Sequence, residues 1–245
     1  MSCGDIQLLI VQYSLEDCPL RPRALARLLH CPVPSAEVAS RYCRYLQSKN
    51  APMTRFIDAC ESGDVCILRW LTGEFKLTGQ DARADDNYAF RSAAFNGHLH
   101  VLQWMTQEFN LTGQDARADD NDAFRAAASN GHVNVLQWLT QKFKLTGEDA
   151  RAQDNWAFRY AARNGHLKVL RWLTNEFQLT GVDARAQDNW AFQSAAQYGH
   201  LEVLQWLTQE FKLTRVDARE NNHWAWRYAA RNGHVKVLDW LGQEF

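Results

Sequence analysis

At 245 residues, 46% hydrophobic and 22% charged, the chain has the composition of a folded soluble protein of one or two domains, which excludes a disordered tail. Its formal net charge of -1 supplies no global field to draw it to nucleic acid or an acidic membrane. All six cysteines (Cys3, Cys18, Cys31, Cys43, Cys60, Cys66) lie in the first 66 residues; a chain long enough to bury a core needs no disulfide staples, so reduced thiols in an intracellular compartment, cytoplasmic or nuclear, are expected.

The start, Met1 to Asp5, carries no basic segment, and the apolar run Ile6 to Val11 is too short for a signal peptide or a membrane span. Residues 1–50 then form a region of their own, with four of the five prolines (Pro19, Pro22, Pro32, Pro34). Two short helices are expected there. The first runs from Arg23 to Leu29, and the second follows Pro34-Ser35 and sets Val38, Tyr42, Tyr45 and Leu46 on one face. This region reads as a helical cap on the array that follows, or as a recruiting region. Cys3, Cys18, His30, Cys31 and Cys43 lack the paired spacing of a zinc site, so no metal or other cofactor is expected.

From 51 to 245 the chain repeats itself. Gly-His recurs at Gly97-His98, Gly131-His132, Gly165-His166, Gly199-His200 and Gly233-His234, each step being 34 residues, with Gly63-Asp64 one step earlier. The regular units are 81–114, 115–148, 149–182, 183–216 and a shortened 217–245, after a degenerate one near 47–80, six in all. A unit of this length cannot bury its own apolar side, so successive copies must stack.

Within a unit the first helix, helix A, is expected to begin at the caps Asp86-Asn87 and stop at Gly97. Ala89, Phe90, Ala93 and Ala94 share its inner arc; Tyr88, Arg91, Ser92 and Phe95 share the outer one. Helix B follows the glycine. Its Leu99, Val101, Leu102, Trp104, Met105 and Phe109 spread over about 200°, which predicts a helix sandwiched between neighbours with only His100, Gln103 and Gln107 outward. The tryptophans of this register, Trp70, Trp104, Trp138, Trp172, Trp206 and Trp240, are expected in the core. Each unit then closes on Leu-Thr-x-x-Asp, for example Thr112 to Asp115, the signature of a capping box and a short third helix. The Asp-Ala-Arg triplets are expected either to form a charge ladder, with Asp81 near Arg117, or to make a solvated face. The histidines after glycine are expected to serve the turn from helix A to helix B.

The string Ala-Ala-Arg-Asn-Gly-His-Leu-Lys-Val-Leu at 161–170 resembles the ankyrin repeat, in which Ala-Ala ends the first helix and Gly-His-Leu-x-Val-Val starts the second. The likeness covers about 52–245. It departs at the opening of the first helix, where Thr-Pro-Leu-His is absent, and the stretch from Gly to the next Asp is longer, giving a 34-residue period. It looks like the divergent arrays of large DNA viruses and protists, which would place the protein in a host cell if viral. The resemblance implies an all-α, ankyrin-like solenoid of stacked helix pairs, with reduced or helical fingers in place of β-hairpins, and an interaction scaffold without chemistry of its own.

Five near-copies reveal which positions the architecture leaves free, and in helix A these coincide with the outward arc. The candidate partner-binding residues are Tyr88, Arg91 and Phe95 in the first regular unit, and Asp122 and Arg125 in the second. Trp156, Arg159, Tyr160 and Arg163 follow in the third, Trp190 and Gln193 in the fourth, and Trp224, Arg227, Tyr228 and Arg231 in the fifth. Trp, Tyr and Arg dominate binding energy at interfaces, so a protein partner is expected on this face. The competing expectation is that the same side chains stack on the adjacent repeat and serve stability.

No nucleophile elbow, phosphate-cradling loop or zinc-protease motif is present, so no enzyme is expected. Single-stranded nucleic acid on the Trp/Arg ladder is an alternative that the near-neutral charge disfavours. An adaptor whose residues 1–50 recruit cellular machinery such as a ubiquitin ligase is another. Helix B of the last unit runs to Phe245, which suggests self-association through that end, a bound partner or a shortened chain.

Overall fold

The computed structural model describes residues 52–245, so the expectations for residues 1–50 lie outside the described residues. Among the described residues every regular element is a helix, and they fall in two compact units. The first takes in 52–93 and 100–110, the second 94–99 and 111–245.

In chain order the helices are α1 (Pro52–Ser62), α2 (Val65–Phe75), α3 (Gly79–Ala82), α4 (Ala84–Phe95), α5 (Leu99–Glu108), α6 (Gly113–Ala116), α7 (Ala118–Ser129) and α8 (Val133–Phe143). They continue as α9 (Gly147–Ala150), α10 (Ala152–Arg163), α11 (Leu167–Phe177), α12 (Gly181–Ala184), α13 (Ala186–Gln197), α14 (Leu201–Phe211), α15 (Arg215–Arg231) and α16 (Val235–Glu244). Helix A is α4, α7, α10, α13 and the second part of α15; helix B is α5, α8, α11, α14 and α16; the four-residue helices are the fingers, helical as expected.

In the first unit, α2 starts where the Asp64 side chain accepts a hydrogen bond from Ile67 N at 3.0 Å. The core gathers Phe56, Ala59, Cys60, Ile67, Leu68 and Met105, all essentially inaccessible. The Phe56 ring lies 5.9 Å from Phe109, edge to face, and 6.4 Å from Trp104.

The second unit is a solenoid built by one rule. The helix A phenylalanine of each repeat inserts beside the helix B Trp and Phe of the next: Phe124 meets Trp172 and Phe177 at 6.3 and 5.9 Å, and Phe158 meets Trp206 and Phe211 at 6.4 and 5.8 Å. Burying each ring stabilises by about 1.5–3 kcal/mol, and only a following repeat provides the burial. Of the helix B tryptophans, Trp70, Trp104 and Trp206 are buried, whereas Trp138, Trp172 and Trp240 keep a partly exposed edge, a departure from the expectation of a uniform core.

Helix B ends on a non-glycine residue in the left-handed region, such as Lys144 at φ 54°. The Leu145 N–H then bonds the Thr140 carbonyl at 3.2 Å and the Leu145 side chain is buried, which holds the otherwise unfavourable turn. The finger follows. Its Thr and Asp form the expected capping box: Thr146 N donates to Asp149 Oδ2 at 2.7 Å, and its hydroxyl does so at 3.2 Å.

Helix A begins differently from expectation. Instead of a capped start at the polar pair, three consecutive residues adopt left-handed dihedrals: Asp119, Asp120 and Asn121 at φ 51°, 53° and 63°. The same turn recurs at Asp85 to Asn87, Gln153 to Asn155, Gln187 to Asn189 and Asn221 to His223. Asp and Asn tolerate this region better than other side-chain-bearing residues, which is why the slot is Asp/Asn-rich.

Candidate partner-binding surface

The left-handed turn positions the candidate arginines. Arg125 Nη2 donates to Asp119 O at 2.8 Å, and Arg159 reaches Asp154 O at 2.8 Å and Gln153 O at 3.0 Å. Gln193, in the same register, donates to Asp188 O at 2.5 Å. Along the stack Gln153 donates to the Asp120 carboxylate at 2.6 Å and Gln187 to that of Asp154 at 2.8 Å, tying successive turns together.

Above this layer lie the aromatic rings. Trp156 stacks on Tyr160 at 3.8 Å and Trp224 on Tyr228 at 3.9 Å, while Tyr160 sits 5.0 Å from Trp190. Guanidinium groups fill in between repeats: Arg125 is 5.3 Å from the centre of Trp156 and Arg159 is 5.3 Å from that of Trp190. Arg163 lies 5.4 Å from Tyr160 and 4.9 Å from Tyr198, whose hydroxyl accepts from it at 2.8 Å. Burial lowers the Arg159 pKa, against the weaker raising influence of Tyr160 and Asp154, and the group stays a cation at neutral pH.

Most of the expected outward residues therefore meet one another as well as solvent. Trp156, Arg159, Tyr160, Arg163, Trp190, Trp224 and Tyr228 are half-buried, and Arg227 and Arg231 are exposed. Asp122 is half-buried and pairs with Arg125 at 3.3 Å. In the first regular helix A, Tyr88 is exposed and has Arg91 over its ring at 5.6 Å; Arg91 also donates to Asp85 O at 3.2 Å. Phe95 is exposed as well.

Gln193 corrects the reading: it is 4% exposed, its amide spent on the turn beneath it. Ser92, also placed on the outer arc, is buried, as are Ala126, Ser129 and Ser194 at equivalent positions of later repeats. An arc drawn on one isolated helix misjudges such positions because it leaves out the neighbouring helix A, which packs against it in the second unit. Tyr198, which the helix A pattern does not mark, is 42% exposed and closes the Arg163 site. The available signal was its departure from the Asn that precedes Gly-His at 130, 164 and 232.

The fingers are built for cohesion. Arg117 Nε and Nη2 grip the Asp149 carboxylate at 2.8 and 3.0 Å; Arg151 grips Asp183 at 2.7 and 3.3 Å, and Arg185 grips Asp217 at 2.5 and 3.1 Å. A charge ladder exists, but each arginine pairs with the aspartate of the following repeat, opposite in direction to the expected pairing of Asp81 with Arg117. Burial pushes these carboxyls up, and the Arg and Thr hydrogen bonds outweigh it: Asp149 and Asp183 are held below the ordinary range and Asp217 at about 2.

The histidines also join repeats rather than serving only their own turn. His132 Nε2 bonds Phe95 O and His234 Nε2 bonds Gln197 O, both at 3.0 Å; a carbonyl only accepts, so Nε2 carries the proton. Asn164 and Asn232 add a second donor to the same turns, to Ser129 O at 2.6 Å and Gln197 O at 2.8 Å. Among the described residues no group of three or more His, Cys, Asp or Glu is placed to hold a metal ion, and no helix is long and apolar enough to cross a membrane.

A family model described as Ankyrin repeats (3 copies) matches residues 90–188 and again 158–244. The chain belongs to the ankyrin-repeat family. An ankyrin repeat family protein from Legionella pneumophila, solved by X-ray crystallography, is similar in structure at 18% identity with a TM-score of 0.48, covering 100% of this chain and 89% of that one. No curated protein matches the chain. Ankyrin repeats are in general non-enzymatic modules of protein–protein interaction, and this array varies them by replacing the usual entry to the first helix with a left-handed turn.

Proposed function

We propose that this ankyrin array binds a partner protein on its helix A surface, with the Trp/Tyr/Arg strip of the third to fifth repeats as the principal contact. One observation supports the reading most: where the framework residues repeat almost without change, this strip alone carries Trp156, Tyr160, Trp190, Trp224 and Tyr228 with four arginines, all at least partly open to solvent. Large aromatic and guanidinium groups held rigid by mutual packing bind with little further loss of side-chain entropy. Within the second unit Phe95, Asp122 and Arg125 hold the same helix A register, and Tyr88 and Arg91 hold it in the sequence of the first.

The test uses Tyr198, Arg227 and Arg231, which are exposed and whose truncation spares the core. A protein captured from the native cell by the wild-type chain is expected to be lost by Y198A/R227A/R231A at an unchanged melting temperature. Retention of every captured protein by that variant contradicts the reading.

A further inference from the structure

We infer that the helix A strip of the second unit recognises an acidic peptide segment, one whose carboxylates meet arginine side chains and ring edges. This rests on that surface being the binding face and specifies the chemistry of what it takes.

Charge carries the first step. Arg159, Arg163, Arg227 and Arg231 lie in the strip, and neither 156–163 nor 190–198 nor 224–231 contains an Asp or Glu. No carboxylate forms an ion pair with any of these four among the described residues. In the same unit the arginines that end the finger helices, Arg117, Arg151 and Arg185, are each clamped on an aspartate. Arg117, Arg151 and Arg185 are thus neutralised by a bound aspartate, while the four strip arginines have no paired carboxylate, Arg159 sensing Asp154 only at longer range, although the whole chain carries a net charge of -1.

Ring orientation carries the second step. Trp156 is stacked on Tyr160 at 3.8 Å and faces Arg125 at 5.3 Å; Trp190 faces Arg159 at 5.3 Å; Trp224 is stacked on Tyr228 at 3.9 Å. Each of these rings has at least one face, the electron-rich side, engaged inside the protein. The strip also carries ring edges, with the positive part of the aromatic quadrupole, together with guanidinium N–H groups. Both are complementary to a carboxylate.

The same geometry separates a peptide from a nucleic acid. Base stacking needs free ring faces, and Trp156 and Trp190 each already have an aromatic ring and a guanidinium against them. A strand charged at every phosphate would also run past the exposed carboxylates of Asp154, Asp188 and Glu220 on the adjoining turns, whereas a peptide places its charges where the arginines are.

The experiment measures binding of a short labelled peptide of alternating Glu and Gly, the same peptide with Lys for Glu, and a short oligo-dT, by fluorescence anisotropy at low and physiological salt. The Glu peptide is expected to bind, to weaken as salt rises, and to lose about tenfold in affinity with R227Q/R231Q, while the Lys peptide and oligo-dT bind more weakly. R227K/R231K, which keeps the charge, should recover part of the loss, and the melting temperature of each variant reports its folding. Absence of Glu-peptide binding, tighter binding of oligo-dT or of the Lys peptide, or an affinity indifferent to R227Q/R231Q would each overturn the inference. If a captured cellular protein still depends on Tyr198, Arg227 and Arg231 while the Glu peptide fails to bind, the acidic chemistry is wrong and the binding face stands.

Discussion

The guanidinium of Arg125 lies 5.3 Å from the ring centre of Trp156, one repeat further on, while its Nη2 holds the Asp119 carbonyl of its own left-handed turn at 2.8 Å. One side chain therefore fixes the entry to helix A and joins two repeats. A double-mutant cycle of R125A and W156A should return a coupling of about 0.5–1 kcal/mol by denaturant unfolding. Additive losses would show that the two do not cooperate.

Gly131 and Gly233 share a left-handed φ, 81° and 74°, but differ in what surrounds them. A Cβ on Gly131 would fall 2.9 Å from His166 Nδ1, whereas one on Gly233 meets nothing within 4 Å. Gly233→Ala should cost about 1–2 kcal/mol from backbone alone. Gly131→Ala should cost measurably more, because the His166 ring must also move off its carbonyl. Equal losses would mean that the glycine serves only its own turn.

The Asp183 carboxylate joins two devices, the capping box with Thr180 and the grip of Arg151. Asp183→Asn should therefore destabilise by about 2 kcal/mol, more than Arg151→Gln, which removes the grip alone. Raising the salt concentration should shrink the Arg151 effect and leave most of the cap's contribution. Since the folded carboxyls sit below their ordinary values, their stabilisation is complete above about pH 4 and is lost only as pH falls toward 2.

His166 and His200 respond in a separate window. Burial lowers both, with neighbouring histidines adding to it and the backbone bonds to Ser129 and Arg163 opposing it. A depressed folded value means that the stabilisation is present above the unfolded value of about 6.5 and drains away as pH falls below it. Melting temperature should thus begin to decline as pH falls below about 6.5, before the aspartates titrate. H166N/H200N should flatten that decline; an unchanged slope would place its origin elsewhere.

Much of this was legible in the sequence. The 34-residue step, the helix pairs, the buried Phe and Ala of helix A and the capping boxes all follow from spacing, because each repeat states the same pattern again. Three features were not. The left-handed turn is written only as an Asp/Asn-rich triplet, which also spells an ordinary cap. The direction of the Arg–Asp ladder depends on how far one repeat is offset from the next, and a pattern within one repeat holds no such information. Gln193 differs from Arg125 and Arg159 in type but not in register, so its burial follows from its short reach to Asp188 O rather than from its place on the helix.

The most direct measurement is site-specific photo-crosslinking of a captured partner, with the crosslinker placed in turn at Tyr198 on the helix A strip and at Gln209 on the exposed face of helix B. Adducts are expected from position 198 and none from 209. Adducts from 209 with none from 198 would contradict binding on the helix A strip.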